Sequence, residues 1–173
     1  PSEEAILSGR LVDRAIRPLF DENLRRDVQV ILTALSFDGE VDSQIPAMIA
    51  ASIALTISPI PWNGPIAGVR VGQIDGQWKI NTTISEKVLS TVDIVVAGTP
   101  EKVIMVEAGC TETPEDDVVA AMQFGAQAMA PVLDFINKIQ KEAGQTKFNL
   151  SGISDEKEIE LQRVEKLAIE LVA

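Results

Sequence analysis

Apolar residues recur at helical spacing from the start of the chain. Ile6, Leu7, Leu11, Ala15 and Ile16 share one side of a helix predicted over residues 3–17. Ser2 is placed to cap it, Glu3 and Glu4 suit the positive end of its dipole, and Pro18 stops it. Residues 27–36 (DVQVILTALS) replace that period with a β-branched run, which predicts a strand buried in part on both faces. An acidic loop follows over residues 37–42. A second helix then starts at Asp42 or Ser43, either of which can cap it, and runs to about Ser58 without a single charge. Apolar character on every side predicts a buried helix. PIPWNGP, residues 59–65, reads as a rigid connector with a turn at Asn63 and Gly64.

The period then changes to that of a sheet. Residues 67–74 and 77–81 predict two strands joined at Asp75 and Gly76, a strong hairpin signal. Residues 92–97 and 102–107 predict a second pair across GTPE. Thr113, Pro114, Glu115, Asp116 and Asp117 supply a cap, a proline for the first helical position and acids for the first turn. The long helix they open carries Val118, Met122, Met129, Val132, Ile136 and Ile139; Pro131 bends it and Gly144 closes it. Residues 145–153 read as a polar linker. A charged helix over about 155–172, with Leu161, Val164, Ala168 and Leu171 on one stripe, reads as the start of a separate helical segment. There is no internal repeat and no low-complexity run. The order of elements predicts an α+β domain whose sheet is covered by helices.

Composition narrows the function. The chain has 173 residues, the size of one ordinary domain, and 46% are apolar, enough for a core. Its 15 basic and 26 acidic residues give a formal charge of −11, which excludes a generally cationic surface. The absence of His and Tyr excludes a His base, a His metal ligand and a Tyr acid. Cys110, the one cysteine, can form neither an internal disulfide nor a Cys-rich zinc site, and it has no His to activate it. It reads as a buried or half-buried thiol and fits a reducing compartment. Prolines interrupt the uncharged stretch 43–67, leaving its apolar part short of the about 20 residues a membrane span takes. The chain opens on Pro1 rather than Met and enters a helix at once, which reads as a fragment or a processed chain.

One local departure from the acidic average carries the candidate chemistry. Five of the seven arginines lie between Arg10 and Arg26. Arg10, Arg14 and Arg17 fall at i, i+4 and i+7, so a helix projects them from one face. Guanidinium forks so arranged suit phosphate oxygens. Asp13 lies three residues from Arg10 and four from Arg17, so local ion pairing is the competing reading. Asp38, Glu40 and Asp42 alternate as calcium ligands do, but no bidentate Glu follows at the required distance, and a solvated loop is the plainer reading. Asp93 is either a metal-binding carboxylate or a strand-entry residue facing water. Gly68, Gly72 and Gly76 fall on strands and a turn, not in a phosphate-cradling loop. Trp62 and Trp78 read as core or interface residues.

Particular motifs then point to a family. RLVDRAIRPLF, residues 10–20, resembles a signature segment of the bacterial-type polynucleotide phosphorylase family. IPAMI (45–49), SPIPWNGPIAGVRV (58–71), DIVVAGT (93–99) and VIMVE (103–107) resemble further signatures in the same order. The resemblance covers roughly residues 1–150. It implies part of the family's first RNase PH-like core domain, of ribosomal protein S5 domain 2-like fold, with a mixed sheet, helices packed on it and the N-terminal strands missing. Residues 151–173 would begin the all-helical linker domain.

The same resemblance implies a cytoplasmic, ring-shaped homotrimer in an RNA-degradation system. Such an enzyme shortens RNA from the 3′ end, using inorganic phosphate to release nucleoside diphosphates, with magnesium held in the second core domain. The family's active copy has His-Gly-Arg-Leu where this chain has Ser8, Gly9, Arg10 and Leu11. Its serine-rich phosphate turn falls on Asp42, Ser43, Gln44, Ile45 and Pro46, so at most Ser43 remains. Of its two metal-supporting acids, six apart, Asp93 matches the second while Lys87 stands at the first, where it would repel a metal. The resemblance thus implies a non-catalytic domain, without a metal of its own, in which Arg10, Arg14 and Arg17 line the RNA path. The alternative is an acidic protein-interaction or oligomerisation module that never meets RNA.

Overall fold

Ser2 Oγ accepts a hydrogen bond from the Ala5 amide and starts helix α1, Glu3–Ile16, which buries Leu11, Val12, Ala15 and Ile16. Pro18 cannot donate to the ladder, so the chain leaves α1 through a single 3₁₀ turn, Arg17–Leu19. The computed structural model that shows this describes residues 2–22, 24, 26–149, 160 and 162–166. The connector predicted at 59–65 straps the end of α1: Trp62 Nε1 donates to Ile16 O at 3.0 Å and Asn63 N to Leu19 O at 3.0 Å. Trp62 is buried there, in tilted contact with Phe20.

Helix α2 is Gln44–Ile57. Of the two capping candidates, Asp42 bonds the Gln44 amide through Oδ1, while the Ser43 hydroxyl makes no capping bond. α2 buries Ile45, Met48, Ala51, Ser52 and Leu55, but Pro46, Ala50 and Ala54 are exposed. It is therefore buried on one face, not all round. Small residues on the outer side make it apolar by composition while leaving little apolar area in water.

Four strands follow: β1 Ala67–Ile74, β2 Gln77–Ile80, β3 Val92–Gly98 and β4 Val103–Cys110. They form one sheet in the order β2-β1-β3-β4, and every ladder is antiparallel, where a mixed sheet was expected. Asp75 (φ 49°) and Gly76 (φ 74°) both take left-handed backbone, the requirement of the tight turn between β1 and β2. Side chains alternate across the pleat. Val95, Ala97 and Met105 meet α1 and α2; Val69, Val71, Val92, Ile94 and Val96 meet the C-terminal helices. The sheet thus lies between two helical layers.

Residues 27–36 form no strand. Val28 and Val30 pack against the α1–α2 core, but Ile31 and Leu35 are exposed, at 76% and 94%. A β-branched run supplies only half of a strand; its amides and carbonyls need a ladder partner, and none of the four strands pairs with it.

A four-residue helix absent from the sequence reading, α3 at Ile84–Lys87, precedes β3. Its signal was present as Thr83-Ile84-Ser85-Glu86: the Thr83 hydroxyl accepts from the Glu86 amide and Glu86 accepts from the Thr83 amide.

The single long helix predicted after Thr113 is two, α4 Glu115–Ala128 and α5 Ala130–Ala143. Pro131 lies in the first turn of α5, so the expected bend is a break at Met129. Pro114 occupies the cap position of α4, and the Thr113 hydroxyl donates instead to Thr91 O. Within Glu115–Ala143 an 18-residue window reaches a mean hydropathy of 1.3, apolar enough to cross a membrane by composition, yet the stretch buries Ala121, Met129, Leu133 and Ile136 within the fold.

After Gly144 the chain returns to α2. Gln145 N donates to Ile57 O, Phe148 N to Pro59 O, and Lys147 Nζ to Leu55, Thr56 and Ser58 carbonyls at 2.7, 3.0 and 2.8 Å. The predicted linker is therefore, as far as it is described, a clasp on the end of α2. The charged helix predicted over 155–172 falls mostly outside the described residues; residues 160 and 162–166 are helical and exposed.

Candidate functional site

α1 carries the arginine series, and its three members are held in three different ways. Arg10 is exposed and has no hydrogen-bond or ion-pair partner among the described residues. Arg14 reaches off the helix to β4, where Nη1 bonds Glu107 Oε2 at 2.7 Å and Nη2 approaches Val106 O at 3.5 Å. Arg17 is clamped within α1, with Nε at 3.1 Å from Asp13 Oδ2 and Nη2 at 2.8 and 2.6 Å from the two oxygens. That hydrogen-bonded carboxylate raises the pKa of Arg17 further. Local ion pairing through Asp13 therefore describes Arg17 and not Arg10.

The second constellation sits where α2, α3 and the sheet meet. Arg70, in the middle of β1, is only 5% exposed. Its Nη1 lies 2.5 Å from Asp93 Oδ1 on β3, and its Nη2 lies 3.0 Å from Asp42 Oδ2 and 2.7 Å from Gln44 Oε1. Lys87, the last residue of α3, places Nζ 2.7 Å from Asp93 Oδ2. The register explains the meeting: Asp93 pairs with Gly72, one pleat repeat from Arg70 on the same face. Gly72 is required there, because a Cβ would run into Thr82 and Ser90. Two cations and two carboxylates cancel.

This donor set does not fit a divalent metal. Magnesium takes several oxygen ligands in octahedral array. Here each oxygen of Asp93 already serves a cation, and Lys87 holds a positive charge where the resemblance puts the first acid of the pair. No group of three or more metal-ligating side chains occurs among the described residues. Asp93 thus follows neither of its two sequence readings, being neither a metal ligand nor a residue facing water. Arg70 escaped the sequence reading entirely. Its signal was a lone charge flanked by small and β-branched residues in GVRVG, where only a buried partner set makes a guanidinium tolerable.

The acidic loop is consumed by local bonds. Asp38 Oδ1 accepts from the amides of Glu40 and Val41, which hold its pKa below the ordinary 3.8. Glu40 accepts from the Ser85 hydroxyl and Asp42 serves Arg70. Ser8, at the position of the active copy's histidine, accepts from Gln44 Nε2 at 3.2 Å and so joins α1 to α2. Ser43 is exposed. Cys110 is exposed, contrary to the expected buried or half-buried thiol, because β4 runs on past residue 107 as the outer strand of the sheet.

Comparisons with known proteins agree with the motif resemblance. Residues 1–61 match the family model described as 3′ exoribonuclease family, domain 1, and residues 64–128 match 3′ exoribonuclease family, domain 2. The polyribonucleotide nucleotidyltransferase of Oceanobacillus iheyensis is 46% identical over 159 residues, 92% of this chain and 23% of that protein. That of Deinococcus radiodurans is 49% identical over 149 residues, 86% of this chain and 19% of that protein. That of Gluconobacter oxydans is 42% identical over 173 residues, 100% of this chain and 24% of that protein. The chain spans about a quarter or less of the length of these relatives. The crystal structure of rice (Oryza sativa) Rrp46 superposes with a TM-score of 0.53 at 17% identity, over 59% of this chain and 50% of that one, which bears on the fold alone. Matched by two successive models of one family along residues 1–128, and carrying its α+β architecture, this chain belongs to the RNase PH-like 3′ exoribonucleases.

Proposed function

We propose that the chain is part of the first RNase PH-like core domain of a polyribonucleotide nucleotidyltransferase, a cytoplasmic enzyme that degrades RNA from the 3′ end with phosphate and releases nucleoside diphosphates. Residues 1–150 belong to that core and 151–173 begin the helical linker. The domain performs no phosphorolysis itself; it supports assembly of a homotrimer, which works with partners in RNA degradation, and guides RNA. Magnesium is held in the second core domain.

The observation that carries this reading is the closed state of Asp93. A carboxylate bonded at one oxygen by Arg70 and at the other by Lys87 is neutralised by two cations, which would repel a metal ion brought to it. The solvent face of α1 is open to an anionic ligand, with Arg10 uncommitted and Arg14 half exposed. An RNA backbone is the polyanion that such a helix suits, and the acidic remainder confines contact to it.

The test is the affinity of this chain for a labelled single-stranded RNA across a salt series. We expect binding that falls steeply with salt and weakens on Arg10→Ala. Salt-insensitive non-binding beside clean self-association would instead support the interaction module, which the exposed Ile31 and Leu35 favour.

A further inference from the structure

Arg14 alone in the arginine series is held by a residue from another element. Glu107 stands on β4, the outer strand of the sheet, and its carboxylate takes one guanidinium nitrogen of Arg14 at 2.7 Å. The second nitrogen has only the Val106 carbonyl, at 3.5 Å. The two side chains are 50% and 53% exposed, so water and solutes reach the pair from outside. A carboxylate and a phosphate present the same pair of oxygens to a guanidinium fork. They compete for it.

We infer that Glu107 is a built-in competitor for RNA phosphate at Arg14. Arg10 is then the open contact, Arg14 the contact that RNA gains by displacing Glu107, and Arg17 a helix-internal clamp that RNA does not open. The ranking follows from the bonds. An exposed pair with one short hydrogen bond across two elements is displaced at small cost. Arg17 is also exposed but makes three bonds to Asp13 at the i, i+4 spacing of its own helix, so an RNA phosphate has more to replace there. The inference rests on the reading of α1 as an RNA contact and adds to it a residue of opposite charge that sets its strength.

The experiment compares the wild-type chain, Glu107→Gln, Arg14→Ala and the double variant for binding of a fluorescein-labelled single-stranded adenylate oligonucleotide over a salt series. Glu107→Gln should bind about two- to fivefold tighter at low salt, the range that losing one exposed competing pair allows. Its salt slope should steepen by at most about 0.7, the value of one phosphate contact on a single strand, and by less to the extent that RNA already displaces Glu107 in the wild type. In the Arg14→Ala background the same substitution should give no gain. A Glu107→Gln affinity equal to wild type, or a gain that survives in the Arg14→Ala background, overturns the inference, because the effect would then be absent or a general loss of negative charge. If neither wild type nor Glu107→Gln binds RNA at any salt, the reading of α1 fails first and this inference with it. Glu107→Ala is a second route to the same comparison, should the Gln variant fail to fold.

Discussion

Asp93 shows how one side chain carries a functional conclusion. Removing it would leave Arg70, 5% exposed, with its shortest partner gone and Asp42 as its remaining carboxylate, and weakening the compensation of a buried charge is among the costlier changes in a fold. We expect Asp93→Ala to lower unfolding stability by about 3 kcal/mol in urea titrations. Lys87→Ala removes only the partly exposed side of the same carboxylate and should cost below about 1 kcal/mol. Equal, small losses in both would mean that Arg70 is held by Asp42 and Gln44 alone. The sequence pointed to Lys87 and Asp93 by their places in a motif, but it could not show that they touch. That contact depends on α3 turning Lys87 back toward β3, and beside it Gly72 leaves room for Thr82 and Ser90. Both are facts of three-dimensional packing rather than of spacing.

At the scale of elements, legibility followed how local the determinants are. α1, α2, the β1–β2 hairpin and the β3–β4 pair were readable because caps, turns and periodicity lie within a few residues of what they control. Residues 27–36 were misread because strand formation needs a partner that no local pattern reports. The break at Met129 was read only as a bend, since how far a proline disrupts a helix depends on what each half packs against.

Two predictions belong at this scale. Gly125 lets α4 lie close on the sheet: a Cβ there would stand 2.9, 3.1 and 3.3 Å from Cγ2 of Val71, Val96 and Val69. β-branched neighbours in a sheet yield little, so Gly125→Ala should destabilise by about 1 kcal/mol, overpacking outweighing the gain in helix propensity. A rise in melting temperature for that variant would show that α4 can lift. Lys147 closes the C-terminus of α2 by donating to three carbonyls, where the helix dipole also favours a cation. Lys147→Met keeps the stem and removes the donors; a loss of about 1–2 kcal/mol is expected by chemical denaturation.

For the whole molecule, with a formal charge of −11, the pH response rests on its carboxylates. The Lys79 hydrogen bond, then the Thr83 amide, hold the Glu86 carboxyl below its ordinary 4.5, as backbone amides hold Asp38 below 3.8. A carboxylate with a lowered folded pKa stabilises the fold above its unfolded value, and that contribution disappears as pH falls through the folded value. Glu86→Gln should therefore melt below wild type at pH 7, with the gap closing as pH drops below 4.5; a gap that is constant with pH would contradict the linkage.

On the proposed reading, an acidic surface, a short arginine-bearing helix and a carboxylate held by two cations belong to a domain that positions RNA for chemistry done elsewhere. The most direct measurement is release of nucleoside diphosphates from a homopolymeric RNA by this chain with phosphate and magnesium. No release is expected from the wild type or from Asp93→Asn. Phosphate-dependent release by the wild type that Asp93→Asn abolishes would contradict the account, because Asp93 would then be free to act.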